Sequence, residues 1–263
     1  MNHTKPQVVI LCGGMGTRLR EETEFRPKPM VEVGGKPILW HIMKIYAHFG
    51  FDNFVLCLGY KGHMIKEYFL NYRYLQSNFT LRLNSAETPH VDTDNPHEQW
   101  TLTFVDTGAD AMTGARIKRA EKYITADNFM LTYGDGVADI NINQLLEFHL
   151  KQGKIGTVAG VLPASRYGEL SLSGNLVAEF NEKPAEDERF VSGGFFVFQR
   201  RMLDYLSADD GCVLEREPLE RLAREGQLIG YLHRGFWHSM DTYRDFTQMN
   251  ELWRKGAPWR VWE

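Results

Sequence analysis

Residues 8–30, read VVILCGGMGTRLREETEFRPKPM, constrain the fold more than any other part of the chain. They begin with an apolar, β-branched run at residues 8–11, the kind of sequence that fills a strand buried on both faces. The run stops at Gly13 and Gly14, where a backbone without a Cβ can turn tightly and approach a ligand closely. The pattern therefore predicts a strand that ends in a tight loop.

The same loop concentrates positive charge. Four cations, Arg18, Arg20, Arg26 and Lys28, lie within eleven residues, and Thr17 adds a hydroxyl group. A glycine-lined backbone beside guanidinium and ammonium groups suits a polyphosphate. The spacing of the glycines alone leaves a second interpretation open, in which the segment is a glycine-rich turn with solvated charges.

Two better-known phosphate loops are excluded by the residues present. The pattern G-x-x-x-x-G-K-[ST] needs Gly-Lys followed by Ser or Thr, and neither tripeptide occurs in the chain. The dinucleotide pattern G-x-G-x-x-G, read from Gly14 and Gly16, needs a glycine where Leu19 stands. The loop therefore predicts neither a Walker-type ATP site nor an NAD site.

Composition narrows the class of protein. The 263 residues, 43% hydrophobic and 24% charged, suit a globular chain with a full core. A net charge of −4 argues against a general binder of nucleic acid or membrane surfaces. Cys12, Cys57 and Cys212 are widely spaced, which predicts buried free thiols. The polar N-terminus and the lack of a long apolar run predict a cytoplasmic protein without a membrane span.

Strand and helix patterns alternate through roughly the first 150 residues, and this alternation predicts a mostly parallel sheet flanked by helices. After about residue 150 the alternation of strand and helix patterns changes. Alternating residues 170–172 and 176–180 flank Ser-Gly-Asn, which predicts an antiparallel hairpin, and residues 243–254 have helical spacing. The expected fold is a Rossmann-like, mostly parallel mixed α/β sheet, with a smaller antiparallel hairpin and a C-terminal helical addition fused to it.

Acidic residues stand at the predicted carboxyl ends of strands, where open α/β sheets bind ligands. Asp106 follows one such run, and Asp135 follows another and lies between two glycines. Asp135 suits a metal ligand or a ribose contact, and a turn aspartate that caps its own backbone is the alternative. Asp241 precedes the last predicted helix, so that it also fits a helix N-cap.

The run LCGGMGTRLREETEFRPKPMVEVGGKPILWHI resembles the signature of the sugar-1-phosphate nucleotidyltransferases, also called sugar-nucleotide pyrophosphorylases. Further blocks extend the resemblance over almost the whole chain: VDTGADAMTGARIKR, TYGDGVADIN, FNEKP, VSGGFFVF, FWHSMDT and KGAPWRVWE. Among them, MTGARIKR, TYGDGVAD and PWRVWE are typical of the cytidylyl branch. The resemblance implies an enzyme that transfers a cytidylyl group from CTP to α-D-glucose 1-phosphate, with Mg²⁺ as cofactor and CDP-glucose and pyrophosphate as products.

The resemblance also implies roles for individual residues. Arg18 would stabilise the leaving pyrophosphate and Lys28 would hold the α-phosphate, while Asp135 and Asp241 would be catalytic ligands of Mg²⁺. The implied substrate-binding residues are Leu11, Cys12, Gly13, Gly14, Met15, Gly16, Thr17, Arg116, Gly134, Glu182 and Lys183.

Within that set, Arg116 would contact the nucleotide or its phosphates, Glu182 the sugar hydroxyls and Lys183 the sugar phosphate. Two residues depart from the family pattern. Cys12 stands where alanine is expected, and Ala111 stands where a hydroxyl residue is expected near the base. A small side chain still fits at the first position, and the second bears on how the base is recognised.

Residues 1–263 are expected to form one nucleotidyltransferase domain, with residues 1–150 as the nucleotide-binding half. Residues 151–263 would be the sugar-phosphate-binding half and a C-terminal oligomerisation region, in a homo-oligomer that the family resemblance makes a hexamer. The C-terminal tryptophans fit either a subunit contact or a tail packed on its own domain. Two other functions stay open: uridylyl or thymidylyl transfer to glucose 1-phosphate, and a non-catalytic nucleotide-binding regulatory module.

Overall fold

The computed structural model describes residues 5–14, 16–84, 88–91, 98–163, 169–173, 176–181 and 190–262. The strands are β1 (Gln7–Cys12), β2 (Glu32–Val33), β3 (Lys36–Pro37), β4 (Asn53–Leu58), β5 (Phe79–Thr80), β6 (His90–Val91), β7 (Thr101–Asp106), β8 (Asn128–Tyr133), β9 (Gly136–Ala138), β10 (Gly156–Val161), β11 (Glu169–Ser173), β12 (Leu176–Asn181), β13 (Val191–Gln199), β14 (Leu228–His233) and β15 (Trp237–Ser239).

The α-helices are α1 (Arg20–Thr23), α2 (Ile38–His48), α3 (Gly62–Leu70), α4 (Tyr72–Leu75), α5 (Thr113–Arg119), α6 (Ile142–Gln152), α7 (Glu217–Arg224) and α8 (Tyr243–Arg254). Short 3-10 helices occupy Thr17–Leu19, Lys28–Met30, Glu121–Tyr123 and Arg200–Tyr205. Within the described residues, no helix is both long and apolar enough to cross a bilayer.

A seven-stranded sheet forms the centre of the described chain, in the order β14, β10, β13, β8, β1, β4, β7. β1 pairs in parallel with β8 on one side and with β4 on the other, and β4 pairs in parallel with β7. β13 runs antiparallel to both of its neighbours, β8 and β10. The prediction of a mostly parallel mixed sheet flanked by helices is confirmed.

The second half of the chain contributes to this sheet. β10, β13 and β14, all from residues after 150, extend it beyond β8. The fully buried run Phe195–Phe198 in β13 explains this position, because a strand covered on both faces reads as continuous apolar residues. The antiparallel hairpin is confirmed as β11 and β12, and the last helix is α8.

Apolar cores lie on both faces of the sheet. Alternate residues of β1 point to opposite faces: Val8 and Ile10 belong to one buried cluster, and Val9 and Leu11 to the other. Helix α2 packs in the first cluster and α5 in the second. This two-sided burial fixes the register of β1 and therefore the position at which the glycine loop begins.

The C-terminal tail packs against its own chain. Trp259 is fully buried in the first cluster, where its ring stacks on Phe236 and approaches His41 of α2. Burial lowers the pKa of His41 to about 4, and the neutral ring donates from Nε2 to the carbonyl of Val33 at 2.8 Å. Intrachain packing is thus the observed role of Trp259, and the homo-oligomer stays a prediction.

Candidate active site

A pocket of about 270 Å³ opens at the carboxyl ends of β1 and β8. This is the edge at which parallel α/β sheets bind ligands. Four groups of residues line the pocket: Leu11, Cys12, Gly13 and Gly14; Lys28 and Pro29; Ala111, Met112, Thr113 and Arg116; and Tyr133, Gly134 and Asp135. The glycine loop, the lysine between prolines and the Gly-Asp pair therefore share one cavity.

Lys28 holds two carboxylates together at the charged end of this pocket. Its Nζ lies 2.6 Å from Oδ2 of Asp135 and 2.8 Å from Oδ1 of Asp241. Burial alone lowers the pKa of Lys28, but the charge and hydrogen bonds of the two carboxylates outweigh it and raise the pKa. Lys28 is therefore a charged ammonium whose side chain is only 12% exposed.

Arg18 lies at the outer side of the same cluster. Its Nη2 donates to Oδ1 of Asp241 at 2.9 Å, while 73% of its side chain remains exposed. Burial raises the pKa of Asp241, but Lys28, Arg18 and the hydroxyl of Ser239 together lower it below its ordinary value. Asp241 is therefore ionised at neutral pH and is paired with the exposed guanidinium of Arg18.

The backbone explains why these distant residues meet. Lys28 begins a 3-10 turn between Pro27 and Pro29, which limits its backbone freedom. β9, directly after Asp135, pairs antiparallel with β15, and Met240 N donates to the carbonyl of Asp135 at 2.9 Å. This pairing places Asp241, just past β15, beside Asp135.

The N-cap interpretation of Asp241 is wrong, because Thr242 is the N-cap of α8. The Thr242 side chain accepts from Asp245 N, and the Asp245 carboxylate accepts from Thr242 N, which together form a capping box. The Asp241 carboxylate instead pairs with Lys28, which lines the pocket, and with Arg18. Asp106, at the end of the edge strand β7, accepts from Gly108 N and does not line the pocket.

Arg116 anchors the glycine loop by a hydrogen bond to the carbonyl of Gly13. Its side chain is buried, and its terminal nitrogens donate to one hydroxyl and four carbonyl oxygens, those of Thr107, Leu58, Gly108, Gly13 and Ala109, at 2.7 to 3.1 Å. All five acceptors are neutral, and burial lowers the pKa of the guanidinium. Arg116 thus lines the pocket, but its terminal nitrogens already donate to acceptors within the protein. Its predicted contact to the nucleotide or its phosphates stays a prediction.

Other predicted residues take clear positions. Leu11, Cys12 and Gly134 lie in the pocket wall, Gly14 is exposed at the loop, Gly16 has a φ of +63°, and Thr17 begins a 3-10 helix. Met15, Glu182 and Lys183 lie outside the described residues. The sugar-phosphate contacts expected of Glu182 and Lys183 are therefore predictions still.

Sequence reasoning missed Pro29, Met112, Thr113 and Tyr133 as pocket residues. Tyr133 could have been found, because it ends the strand directly before the Gly-Asp pair. Met112 and Thr113 stand at the start of α5, and no local sequence signal shows that this helix start lines the same pocket as the glycine loop.

Cys12 is the thiol in the pocket wall, and its environment argues against nucleophilic chemistry. It is fully buried, and this burial raises its pKa well above the ordinary value. Only a thiolate attacks readily, so the protonated Cys12 packs as a small apolar residue. Cys57 is buried too, as predicted, whereas Cys212 is only half-buried.

The carboxylate pair suits a magnesium ion. Among the described side chains, no group of three or more His, Cys, Asp and Glu residues forms a complete metal site. Asp135 and Asp241 present oxygen atoms within 2.8 Å of one shared cation, the Lys28 ammonium. Mg²⁺ prefers one or two carboxylates, with water and substrate phosphates completing its shell, so this donor set fits it.

The chain belongs to the nucleotidyl transferase family, whose sequence pattern it matches over residues 7–255. This confirms the resemblance found in the sequence blocks. A solved structure of HddC from Yersinia pseudotuberculosis has the same fold, with a TM-score of 0.68 and 24% identity, covering 94% of this chain and 99% of that one.

Two relatives are more specific. The chain is 47% identical to the glucose-1-phosphate cytidylyltransferase of Salmonella typhi, over 98% of this chain and all of that protein. It is 44% identical to the probable glucose-1-phosphate cytidylyltransferase of Bacillus subtilis, over 97% of this chain and all of that protein.

Two neighbouring glycines test the packing of the loop on Arg116. A Cβ at Gly13 would overlap the guanidinium of Arg116, whereas a Cβ at Gly14 meets nothing within 4 Å. We expect Gly13→Ala to lower the free energy of unfolding by about 1–3 kcal/mol, and Gly14→Ala to change it by less than about 0.5 kcal/mol. Urea unfolding without ligands measures both, and equal effects would contradict the packing.

Proposed function

We propose that this protein transfers a cytidylyl group from CTP to α-D-glucose 1-phosphate, giving CDP-glucose and pyrophosphate. The observation that carries the proposal is the full-length match, at 47% identity, to a glucose-1-phosphate cytidylyltransferase. The pocket supports it, because a glycine loop and a mixed cluster of cations and carboxylates lie at one end of a cavity of nucleotide-binding type.

The alternatives are less favoured. Uridylyl or thymidylyl transfer would keep the same chemistry, but the full-length relatives at 44–47% identity carry the cytidylyl name. A purely regulatory nucleotide-binding module has no need of two carboxylates held around one lysine, and those relatives are enzymes by name. The catalytic interpretation therefore accounts for more of the site.

The reaction needs alignment and charge neutralisation rather than a nucleophilic side chain. An oxygen of the sugar phosphate attacks the α-phosphorus of CTP, the bond from that phosphorus to the bridging oxygen breaks, and pyrophosphate leaves with the bonding electrons. Both reactants are anions, so cations must lower their repulsion. The attacking phosphate is already ionised, so no general base is required.

In this mechanism the ammonium of Lys28 holds the α-phosphate at the charged end of the pocket. Arg18, largely exposed and able to swing, stabilises the charge that grows on the departing pyrophosphate. The loop backbone from Leu11 to Gly14 approaches the nucleotide, and Arg116 keeps that loop in place. Glu182 and Lys183 complete the sugar-phosphate side.

Asp135 and Asp241 would hold Mg²⁺. When bound, the ion would neutralise phosphate oxygens and help align the two substrates. Lys28 now pairs with both carboxylates. If a metal ion neutralised these carboxylates, the Lys28 ammonium would be released to pair with a phosphate. A cytoplasmic homo-oligomer is part of the same proposal, on the family resemblance.

The substrate assignment is tested by supplying CTP, UTP or dTTP with glucose 1-phosphate and measuring pyrophosphate release. The proposal predicts CDP-glucose as the product, and a kcat/KM for CTP well above the values for UTP and dTTP. Comparable values for the three nucleotides would remove the cytidylyl assignment while leaving the reaction class intact.

Replacing Asp135 tests the carboxylate pair. We expect Asp135→Asn to lower kcat by at least about 100-fold, because the variant loses one of the two negative charges that would hold the metal ion and that position Lys28. The matched control is Asp52→Asn, an exposed aspartate before β4 and outside the pocket. Circular dichroism checks that both variants are folded, and a near-normal kcat in the folded Asp135→Asn variant would disprove the role.

A further inference from the structure

Two side chains of the pocket wall converge on a carboxylate that itself lies on the neighbouring loop. Tyr133 Oη donates to Oε1 of Glu215, and Thr113 Oγ1 donates to Oε2 of Glu215 at 2.6 Å. Burial, followed by the charge of Glu215, raises the pKa of Tyr133, so the phenol keeps the proton that it donates. Glu215 is thus one hydrogen bond away from two residues that line the nucleotide pocket.

The loop that carries Glu215 is fixed to this wall by its backbone. Met112 N donates to the carbonyl of Asp210, and Gly114 N and Ala115 N both donate to the carbonyl of Cys212, at 2.8 to 3.1 Å. These bonds satisfy amide groups at the start of α5 that have no partner within the helix. In return, Leu214 N donates to Thr113 Oγ1 at 2.9 Å. The carboxylate of Glu215 is therefore held in place.

The charges of the pocket determine which end receives which part of a nucleotide. Lys28 and Asp135 mark the end that suits phosphates and a metal ion. At the wall formed by residues 111–113 and Tyr133, the nearby Arg116 already donates to neutral protein acceptors. If the phosphates bind at the first end, we expect the base at this wall, beside Tyr133 and Thr113, which line the pocket and hold Glu215 just behind them.

Cytosine differs from uracil and thymine at one ring position that a carboxylate can sense. Cytosine presents an amino donor at C4, whereas uracil and thymine present a carbonyl acceptor there. An ionised carboxylate only accepts hydrogen bonds, and each oxygen of Glu215 keeps further capacity after receiving one bond from Tyr133 or Thr113. A carboxylate that reached the C4 position of the base would therefore attract the cytosine amino group and repel the oxygen of the other two bases.

We propose that Glu215 is a specificity-determining residue that selects cytosine nucleotides through their amino group, with Tyr133 and Thr113 as its positioning residues. This inference rests on the proposed function, since it explains why CTP is preferred. It also compensates for Ala111, which lacks the hydroxyl group that the family pattern leads one to expect near the base.

The test compares kcat/KM for CTP and for UTP in the wild type, in Glu215→Gln and in Glu217→Gln. Glutamine at position 215 still accepts from Tyr133, so the wall is kept, but its amide can now donate to the uracil oxygen. We expect the CTP-to-UTP ratio to fall by roughly 10- to 100-fold in Glu215→Gln. Glu217→Gln makes the same chemical change on the exposed first turn of α7, and should leave the ratio unchanged.

Each outcome decides the matter. An equal loss for CTP and UTP in Glu215→Gln would mean that the residue only supports the wall, and would overturn the inference. A wild-type preference for CTP that survives in Glu215→Gln overturns the inference and leaves the proposed function standing. A wild type without preference for CTP overturns both. Tyr133→Phe, which removes one of the two donors to Glu215, should lower the ratio by a smaller factor.

Discussion

The ammonium of Lys28 between Asp135 and Asp241 is the interaction on which the charged end of the site depends. Two ionised carboxylates this close would repel each other, and partial burial strengthens that repulsion because less water screens it. Lys28 removes the repulsion and in turn remains charged. The same arrangement stores a cation beside the place where a nucleotide's phosphates would arrive.

The central sheet makes this interaction possible, because it brings together Lys28, Asp135 and Asp241 from three distant parts of the chain. β1 delivers the glycine loop and, through it, the 3-10 turn of Lys28. β8 ends at the Gly-Asp pair, one strand away in the sheet. The small β9–β15 ribbon then carries Asp241 across to Asp135. Arg116 fastens the glycine loop to the ends of neighbouring strands, so the wall and the charged end keep a fixed relation.

Much of this could be predicted from local sequence. The apolar run of β1, the proline and glycine that flank α2, and the spacing of α8 specify elements through their own periodicity and end signals. Asp135 was recognisable because it follows a strand and lies between glycines. Asp241 was ambiguous, and the structure resolves it because the adjacent Thr242 takes the N-cap role.

Other features depend on contacts that sequence spacing does not contain. The five acceptors of Arg116 lie at the carboxyl ends of three strands, β1, β4 and β7, and Tyr133 and Glu215 are 82 positions apart. Strand order was also hidden: the apolar run of β13 predicts a buried strand but not its antiparallel place between β8 and β10. Glu182 and Lys183 lie outside the described residues, and their roles still rest on the family resemblance.

The central claim is a single displacement at the α-phosphorus, in which an oxygen of the sugar phosphate is the nucleophile. Cys12 is the one thiol among the described residues that line the pocket, and burial keeps it protonated. The stereochemistry of the reaction tests the claim most directly. CTP carrying sulfur at one α-phosphate oxygen, in a single configuration, is converted with glucose 1-phosphate, and the product's configuration is determined by phosphorus NMR. One in-line attack predicts inversion. Retention would require two displacements through a cytidylylated side chain, and would contradict the account.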